Sequence, residues 1–305
     1  MAGGKSIMKM RSTRYTLVLC TLLATTNPLF AQDLEPRRWT PLPPGLNVLA
    51  IGYGHTTGDL RFDPLLEVED AEIKADTMVF SYVRSFSLAG KAVRFDALLP
   101  WQSARWKGLL KGEHTEIERR GLADARLRFS LTLLNTATGD PAEESSTVVG
   151  AAMAVRVPSG EYKKDKLLNL GQNRFRFRPQ IGVLHTRGDW SFELTGSVFL
   201  YTDNDNFFNG KTREQDALYA LQTHVVYVYK PGYWGSLSGG YGWGGVSSVD
   251  DVRKDDDWSN FITAFAVGFP VAQNQGVKLT YMHGHTQNTS GAVTDTLSVG
   301  WSVRF

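Results

Sequence analysis

Between Trp190 and Leu200 every second residue is apolar or glycine: Trp190, Phe192, Leu194, Gly196, Val198 and Leu200. Ser191, Glu193, Thr195 and Ser197 lie between them. A helical period of about 3.6 residues would scatter these side chains, whereas a strand period of two gathers them on one face. Charge follows the same period elsewhere. Arg126 and Arg128 alternate with Leu127, Phe129, Leu131 and Leu133, and Arg174, Arg176 and Arg178 alternate with Phe175 and Phe177. The chain is therefore expected to be all-β, with one apolar and one polar face per strand.

Twelve such segments are legible: Asn47–His55, Ala75–Phe86, Lys91–Trp101, Ala125–Leu134, Thr147–Val157, Arg174–Thr186, Asp189–Tyr201, Asp216–Tyr229, Tyr233–Gly244, Trp258–Phe269, Gly276–Thr286 and Ala292–Phe305. Most reach the length of about 9–11 residues that a tilted membrane strand needs. Four of the connections are tight (Ser87–Gly90, Arg187-Gly188, Lys230–Gly232 and Pro270–Gln275), and they alternate with longer, polar ones such as His55 to Ala75. Short turns at one end and long loops at the other are the habit of bacterial outer-membrane barrels. Asn135–Ser146 is long for a turn, and Gln287–Gly291 is short for an outer loop. A β-sandwich could share the alternation, because it buries the apolar faces against a second sheet. It would not account for the alternating loop lengths. The expected architecture is a single antiparallel transmembrane β-barrel of about twelve strands.

Composition narrows the alternatives. Lys and Arg number 33 against 31 Asp and Glu, which argues against a nucleic-acid binder working by bulk charge. Mean hydropathy is −0.23, and no apolar run beyond the N-terminus approaches the 18 or so residues of a membrane helix. The first residues read as an address. Lys5, Lys9, Arg11 and Arg14 precede the apolar stretch Tyr15 to Leu23, and Ala31 suits the end of a secretory signal peptide. Loss of residues 1–31 takes the formal net charge from +2 to −2 and removes Cys20, the one cysteine. An exported chain without thiols must rely on hydrogen-bonded closure or an ordinary core. Residues 32–305 form the expected barrel domain. Its first part, 32–45, is rich in proline and reads as a periplasmic lead-in or a strap into a lumen.

The last strand carries the sharpest local signal. Leu297, Val299, Trp301, Val303 and Phe305 are apolar at every second position and end on an aromatic ring. Outer-membrane barrels end on similar strands, which the barrel-assembly machinery reads. Trp301, Val303 and Phe305 are the expected assembly signal.

A family resemblance begins at Asn169-Leu170-Gly171-Gln172-Asn173-Arg174. It continues through Trp190, Asp203-Asn204-Asp205-Asn206-Phe207-Phe208, Arg213-Glu214-Gln215-Asp216 and Trp243-Gly244-Gly245. These residues resemble the outer-membrane barrel family called "Putative MetA-pathway of phenol degradation", most strongly from Val148 to Phe305. Ala217 stands where that family commonly has Pro, and Phe305 where it more often has Trp. The resemblance implies a channel in the bacterial outer membrane, linked by name to catabolism of aromatic compounds. Fold carries over from such a likeness more readily than substrate does.

The strand period sorts the candidate site residues. Arg94, Asp96, Arg126, Arg128, Arg156, Arg174, Arg176, Arg178, Glu193 and His224 fall on the polar, lumen-facing side. They either bias the lumen towards anionic solutes such as aromatic carboxylates or pair with one another as a polar core. Twelve strands lie between the eight that side chains fill and the sixteen or so that leave an aqueous channel. The outer-loop candidates are Asp203, Asn204, Asp205, Phe207, Phe208, Arg213, Glu214 and Asp216. Asp203, Asp205 and Asn209, with Glu214 at the twelfth place, resemble a calcium loop only weakly, since Gly is missing from the sixth. His283 and His285 share a strand face with no carboxylate near in sequence, so no metal site is expected.

The expected function is passive uptake of small aromatic or hydrophobic compounds, without a cofactor. The expected partners are outer-membrane lipid and lipopolysaccharide, the assembly machinery and a small solute, with no nucleic acid. A structural or adhesive barrel is the first alternative. The second is a lipid-modifying enzyme built on His224 and Ser197, although no G-x-S-x-G motif is present.

Overall fold

The computed structural model describes residues 34–61, 68–138, 144–287 and 291–305. Every regular element among them is a strand, and no helix is long and apolar enough to cross a membrane. In chain order the strands are β1 (Asn47–Arg61), β2 (Val68–Leu88), β3 (Lys91–Leu110), β4 (Glu113–Leu122), β5 (Arg126–Asn135), β6 (Ser145–Arg156), β7 (Arg176–Arg187), β8 (Trp190–Tyr201) and β9 (Asn204–Phe207). There follow β10 (Lys211–Gln215), β11 (Leu218–Lys230), β12 (Tyr233–Gly244), β13 (Ser247–Val249), β14 (Val252–Arg253), β15 (Trp258–Ala272), β16 (Gln275–Thr286) and β17 (Gly291–Arg304).

Twelve of these close into an antiparallel ring, in the order β1-β2-β3-β5-β6-β7-β8-β11-β12-β15-β16-β17 and back to β1. Each ring strand overlaps one of the twelve segments read from the alternation, and β1, β2 and β3 run well beyond theirs. The seam is an unbroken ladder from Val48↔Arg304 to Arg61↔Gly291. It is finished by mutual backbone hydrogen bonds between Asn47 and Phe305. Closure satisfies every ring strand on both sides, which is what a sheet needs where no water can serve its backbone.

The faces are inverted relative to a water-soluble sheet. On β8, Trp190, Phe192 and Leu194 are 48%, 48% and 49% exposed on the outer wall, while Glu193 and Thr195 are 2% and 3% exposed within it. The large exposed apolar side chains recur on every ring strand and make a belt suited to lipid. This is the wall of a membrane-spanning barrel.

Two regions depart from the expected loops. Most of the connection from His55 to Ala75 is strand, because β1 and β2 run on together to Leu60↔Ala71. The stretch after Trp101 is a hairpin of β3 and β4 rather than a polar loop. Its pattern differs from the membrane strands because the outer face carries charge: Lys107, Glu116, Glu118 and Arg120 are exposed where those strands have apolar side chains. β3 changes partners midway. It pairs with β5 as far as Leu98 and with β4 from Trp101 onward. Pro100 lies at the change, where its missing N–H costs no ladder bond to either neighbour, and its carbonyl accepts from Ala123 N–H at 3.0 Å.

At the loop end, β14, β13, β10 and β9 form a separate four-stranded sheet. A buried cluster of Ile73, Ala75, Ala104, Trp106, Ala123, Leu168 and Leu170 ties the loop before β7 to the extended hairpins. At the turn end, the segment before β1 enters the ring, and this segment positions the site.

Candidate functional site

Residues 34–46 form a strap inside the ring. Trp39 is its anchor. The indole packs with Val148, Ala152 and Leu184 and donates from Nε1 to Thr195 Oγ1 at 2.7 Å. The slot exists because Gly150 and Gly182 are cross-strand partners on β6 and β7. A Cβ on Gly150 would lie 2.5 Å from the indole and one on Gly182 would lie 2.0 Å from it, so no larger residue fits either place.

The charges around the strap form one network. Asp96 receives Arg94 at 2.5 Å, Arg38 at 3.3 Å and Arg128 at 3.5 Å. Glu35 receives Arg128 at 2.6 Å and Arg126 at 2.9 Å. Arg38 also donates to Ser130 Oγ, and its backbone N–H donates to Glu193 Oε2 at 3.2 Å. Burial pushes the Glu35 carboxyl up, but Arg128, Arg126 and Arg38 together hold it well below the usual carboxylate range. Two acids from different parts of the chain thus hold four arginines, in the low-dielectric setting where an unpaired charge is most costly.

Above this layer the arginines lie on aromatic rings. Arg176 and Arg178 lie over the Phe199 ring, at 5.3 and 4.6 Å, and Arg174 lies over Tyr201 at 4.4 Å. A guanidinium over an aromatic face is attracted by the ring quadrupole. Phe199 was overlooked in the sequence reading. It is an apolar ring on the polar side of β8, only 1% exposed, and its break in the alternation was the available signal.

The loop-end residues divide by orientation. Asn204 is buried and central: it accepts from Asn173 Nδ2 at 2.8 Å and donates to Tyr162 OH at 2.9 Å and Gln172 O at 3.1 Å. Phe207 is buried beneath Arg213, at 5.5 Å. Asp203, Asp205 and Glu214 face solvent, and Phe208 is half-buried at a turn with φ 26°. Asp216 pairs with Arg253 at 2.9 Å on the surface. The motif from Asn169 to Arg174 closes the loop: Asn169 Oδ1 accepts from Lys163 N–H at 2.7 Å, and Gln172 N–H donates to Asp124 at 2.8 Å. Gly160 N–H donates to the other Asp124 oxygen at 3.0 Å.

All ten lumen candidates turn inward. Arg94, Asp96, Arg126 and Arg128 gather in the lower network with Glu35 and Arg38, which the sequence reading did not single out. Arg174, Arg176 and Arg178 form the upper row, and the buried Arg156 lies opposite Arg176 in the β6–β7 register. Glu193 lies across from His224. The His224 imidazole contacts Ser238 Oγ at 2.8 Å, whereas Ser197 stands opposite Ala220 and accepts from Arg178 Nη2 at 3.2 Å. The register therefore separates Ser197 from His224. On the outer wall, His283 meets Asp295 at 2.9 Å across β16 and β17, a carboxylate that is distant in sequence but directly opposite in register. Trp301 faces lipid and donates to Gln275 at 3.0 Å, Val303 pairs with Leu49, and Phe305 completes the seam. Among the described residues no cluster of three or more His, Cys, Asp or Glu is arranged to hold a metal ion.

Comparison with known proteins decides the family. The model of "Putative MetA-pathway of phenol degradation" matches residues 54–300. The chain belongs to this family. An outer membrane channel from Pseudomonas putida F1, of known crystal structure, is 22% identical to this member of the family. The match has a TM-score of 0.76 and covers 90% of this chain and 100% of that one. The translocator domain of the autotransporter NalP from Neisseria meningitidis is 10% identical, with a TM-score of 0.47 over 88% of this chain and 91% of that one. The first likeness shows a shared fold, and the second is too slight to carry an argument. No curated protein matches the sequence.

Proposed function

We propose that this barrel is an outer-membrane channel that admits small aromatic or hydrophobic compounds, with its turn end towards the periplasm and its loop end outside. In this reading residues 1–31 are the export signal, Trp301, Val303 and Phe305 present the last strand to the assembly machinery, and the apolar belt meets lipid and lipopolysaccharide. The observation that carries it is the strap. A polar, arginine-rich lumen is crossed by a segment that belongs to no strand and is held by one indole slot and one ionic network. Among the described residues the strap's backbone joins the wall's backbone only at the base, where Gly45 and Leu46 exchange hydrogen bonds with Ser85 of β2, so the part inside the lumen can swing about that base and serve as a gate. The family description, and the name of the Pseudomonas putida protein as an outer membrane channel, support the same reading.

Planar-bilayer conductance of the refolded chain tests it, with heat-modifiable gel mobility as proof of folding. The native chain should conduct rarely or weakly, and Trp39→Ala should raise the open probability. A folded barrel that stays silent in both forms would transfer the assignment to a structural barrel. The strap's fit in its slot favours that second reading. Selectivity gives a separate test of the lumen charge. Replacing Arg174, Arg176 and Arg178 together with Gln should lower anion preference, and an unchanged reversal potential would remove the electrostatic role of the upper row.

A further inference from the structure

The loop-end cap holds two arginines that the channel wall does not require. Arg174 precedes β7, and Arg213 comes from β10 in the small sheet. Arg174 donates through Nη2 to Gln215 Oε1 and lies on Tyr201, while its shielded Nη1 has no acceptor among the described residues. Arg213 lies on Phe207, and its shielded Nε also has no acceptor among them. Gln215 is itself fixed by donating to Gly245 O at 2.9 Å, so it holds Arg174 in place.

The two cations are only partly compensated. Burial, and after it repulsion from Arg213, disfavours the Arg174 cation. Burial disfavours the Arg213 cation too, and Asp256 is the first charge to offset it. Asp256 is already committed: it accepts from Ser247 N–H at 2.8 Å and from Ser247 Oγ at 2.5 Å. Asp203, the other acid that acts on Arg174, faces solvent. A guanidinium stays protonated in proteins, so the two cations remain with a donor to spare on each.

We infer that Arg174 and Arg213 form a binding site for the carboxylate of a small aromatic acid, beneath the loop-end sheet. A carboxylate has two oxygens and can take one charge-assisted hydrogen bond from each guanidinium. Each guanidinium covers one face of its ring, so the edges and far faces of Tyr201 and Phe207 are the apolar surface left to a flat ring. A fully hydrated inorganic anion would gain nothing from those faces. An aromatic acid held there would be the solute of the uptake proposed above, and as a solute class it rests on that reading. Equilibrium binding needs no open pore, so the site and the channel can fail separately.

The test is calorimetric titration of the refolded chain in detergent with benzoate, benzyl alcohol and inorganic phosphate. Saturable benzoate binding is expected, with benzyl alcohol weaker by about tenfold or more. Arg174→Gln and Arg213→Gln should each weaken benzoate by about tenfold or more, and Arg213→Lys should keep part of the affinity because the charge remains. Arg213 lies outside the ring, so its variants remain informative if Arg174→Gln does not refold. Absence of saturable benzoate binding, or binding unmoved by the refolded Gln variants, would overturn the site. Phosphate binding as tightly as benzoate would overturn the aromatic-acid class.

Discussion

The lumen holds two layers of arginine that differ in their main partners. In the lower layer Arg38, Arg94, Arg126 and Arg128 are divided between Asp96 and Glu35. In the upper layer Arg174, Arg176 and Arg178 lie on Phe199 and Tyr201. The difference separates holding from receiving. An arginine paired with carboxylates has its charge balanced and holds the strap. An arginine on a ring keeps its donors directed elsewhere while the ring lowers the cost of its burial. One residue type therefore serves both as structural lock and as binding surface, according to what stands opposite.

That comparison can be broken by experiment. The largest effect should follow loss of the strap's anchor. Trp39→Ala empties the slot and should cost strap docking about 3–5 kcal/mol, and Gly182→Ala overfills it at a cost of about 1–3 kcal/mol. Protease accessibility of residues 34–46 in the folded barrel would measure it, and protection as in the native chain in both variants would remove the slot as the lock. Next comes Asp96→Asn, which leaves Arg38, Arg94 and Arg128 without their shared charge. A loss of about 3 kcal/mol is expected in the unfolding free energy from urea titration. Arg174→Gln strands no carboxylate, so it should cost only about 0.5–2 kcal/mol in the same measurement. Equal costs for Asp96→Asn and Arg174→Gln would erase the distinction between the layers.

The finest cut is pH. The docked Glu35 carboxyl titrates below its ordinary value because of its arginines. The free strap binds the proton first as pH falls, so docking is fully supported above the ordinary carboxylate range and is lost as pH drops through the docked value. Conductance should be flat from pH 8 to about 5 and rise below the ordinary Glu value of about 4.3. Glu35→Gln should conduct alike across that span. A transition near pH 6 to 7 would point to a different group.

Much of the wall was legible because alternation is local. Each of the twelve ring strands carries its own pattern, and lipid outside with polar atoms inside enforces that pattern along the whole strand. The strap was not legible in the same way. Its proline content marked it as extended, but its partners Glu193 and Thr195 lie 155 and 156 residues away. No short window contains both the indole and its slot. The β3–β4 hairpin was missed because it stands above the apolar belt: its outer face meets water and carries charge, and its inner face packs Ala104 and Trp106 against a loop distant in sequence. Asn204 and Arg213 were noticed through the family motif, yet their burial and partners depend on a second sheet that pairs β10 with β13 across some 35 residues of chain.

The sequence by itself determined a closed, strand-built wall with an apolar exterior and an arginine-rich interior, because the two-residue period and the alternating connections act over a few neighbours at a time. Only the tertiary structure decided which arginines meet acids and which meet rings. Closure of the ring and entry of the strap bring together groups that no local pattern relates. In a buried lumen of low dielectric, that choice of neighbour fixes what each charge can do.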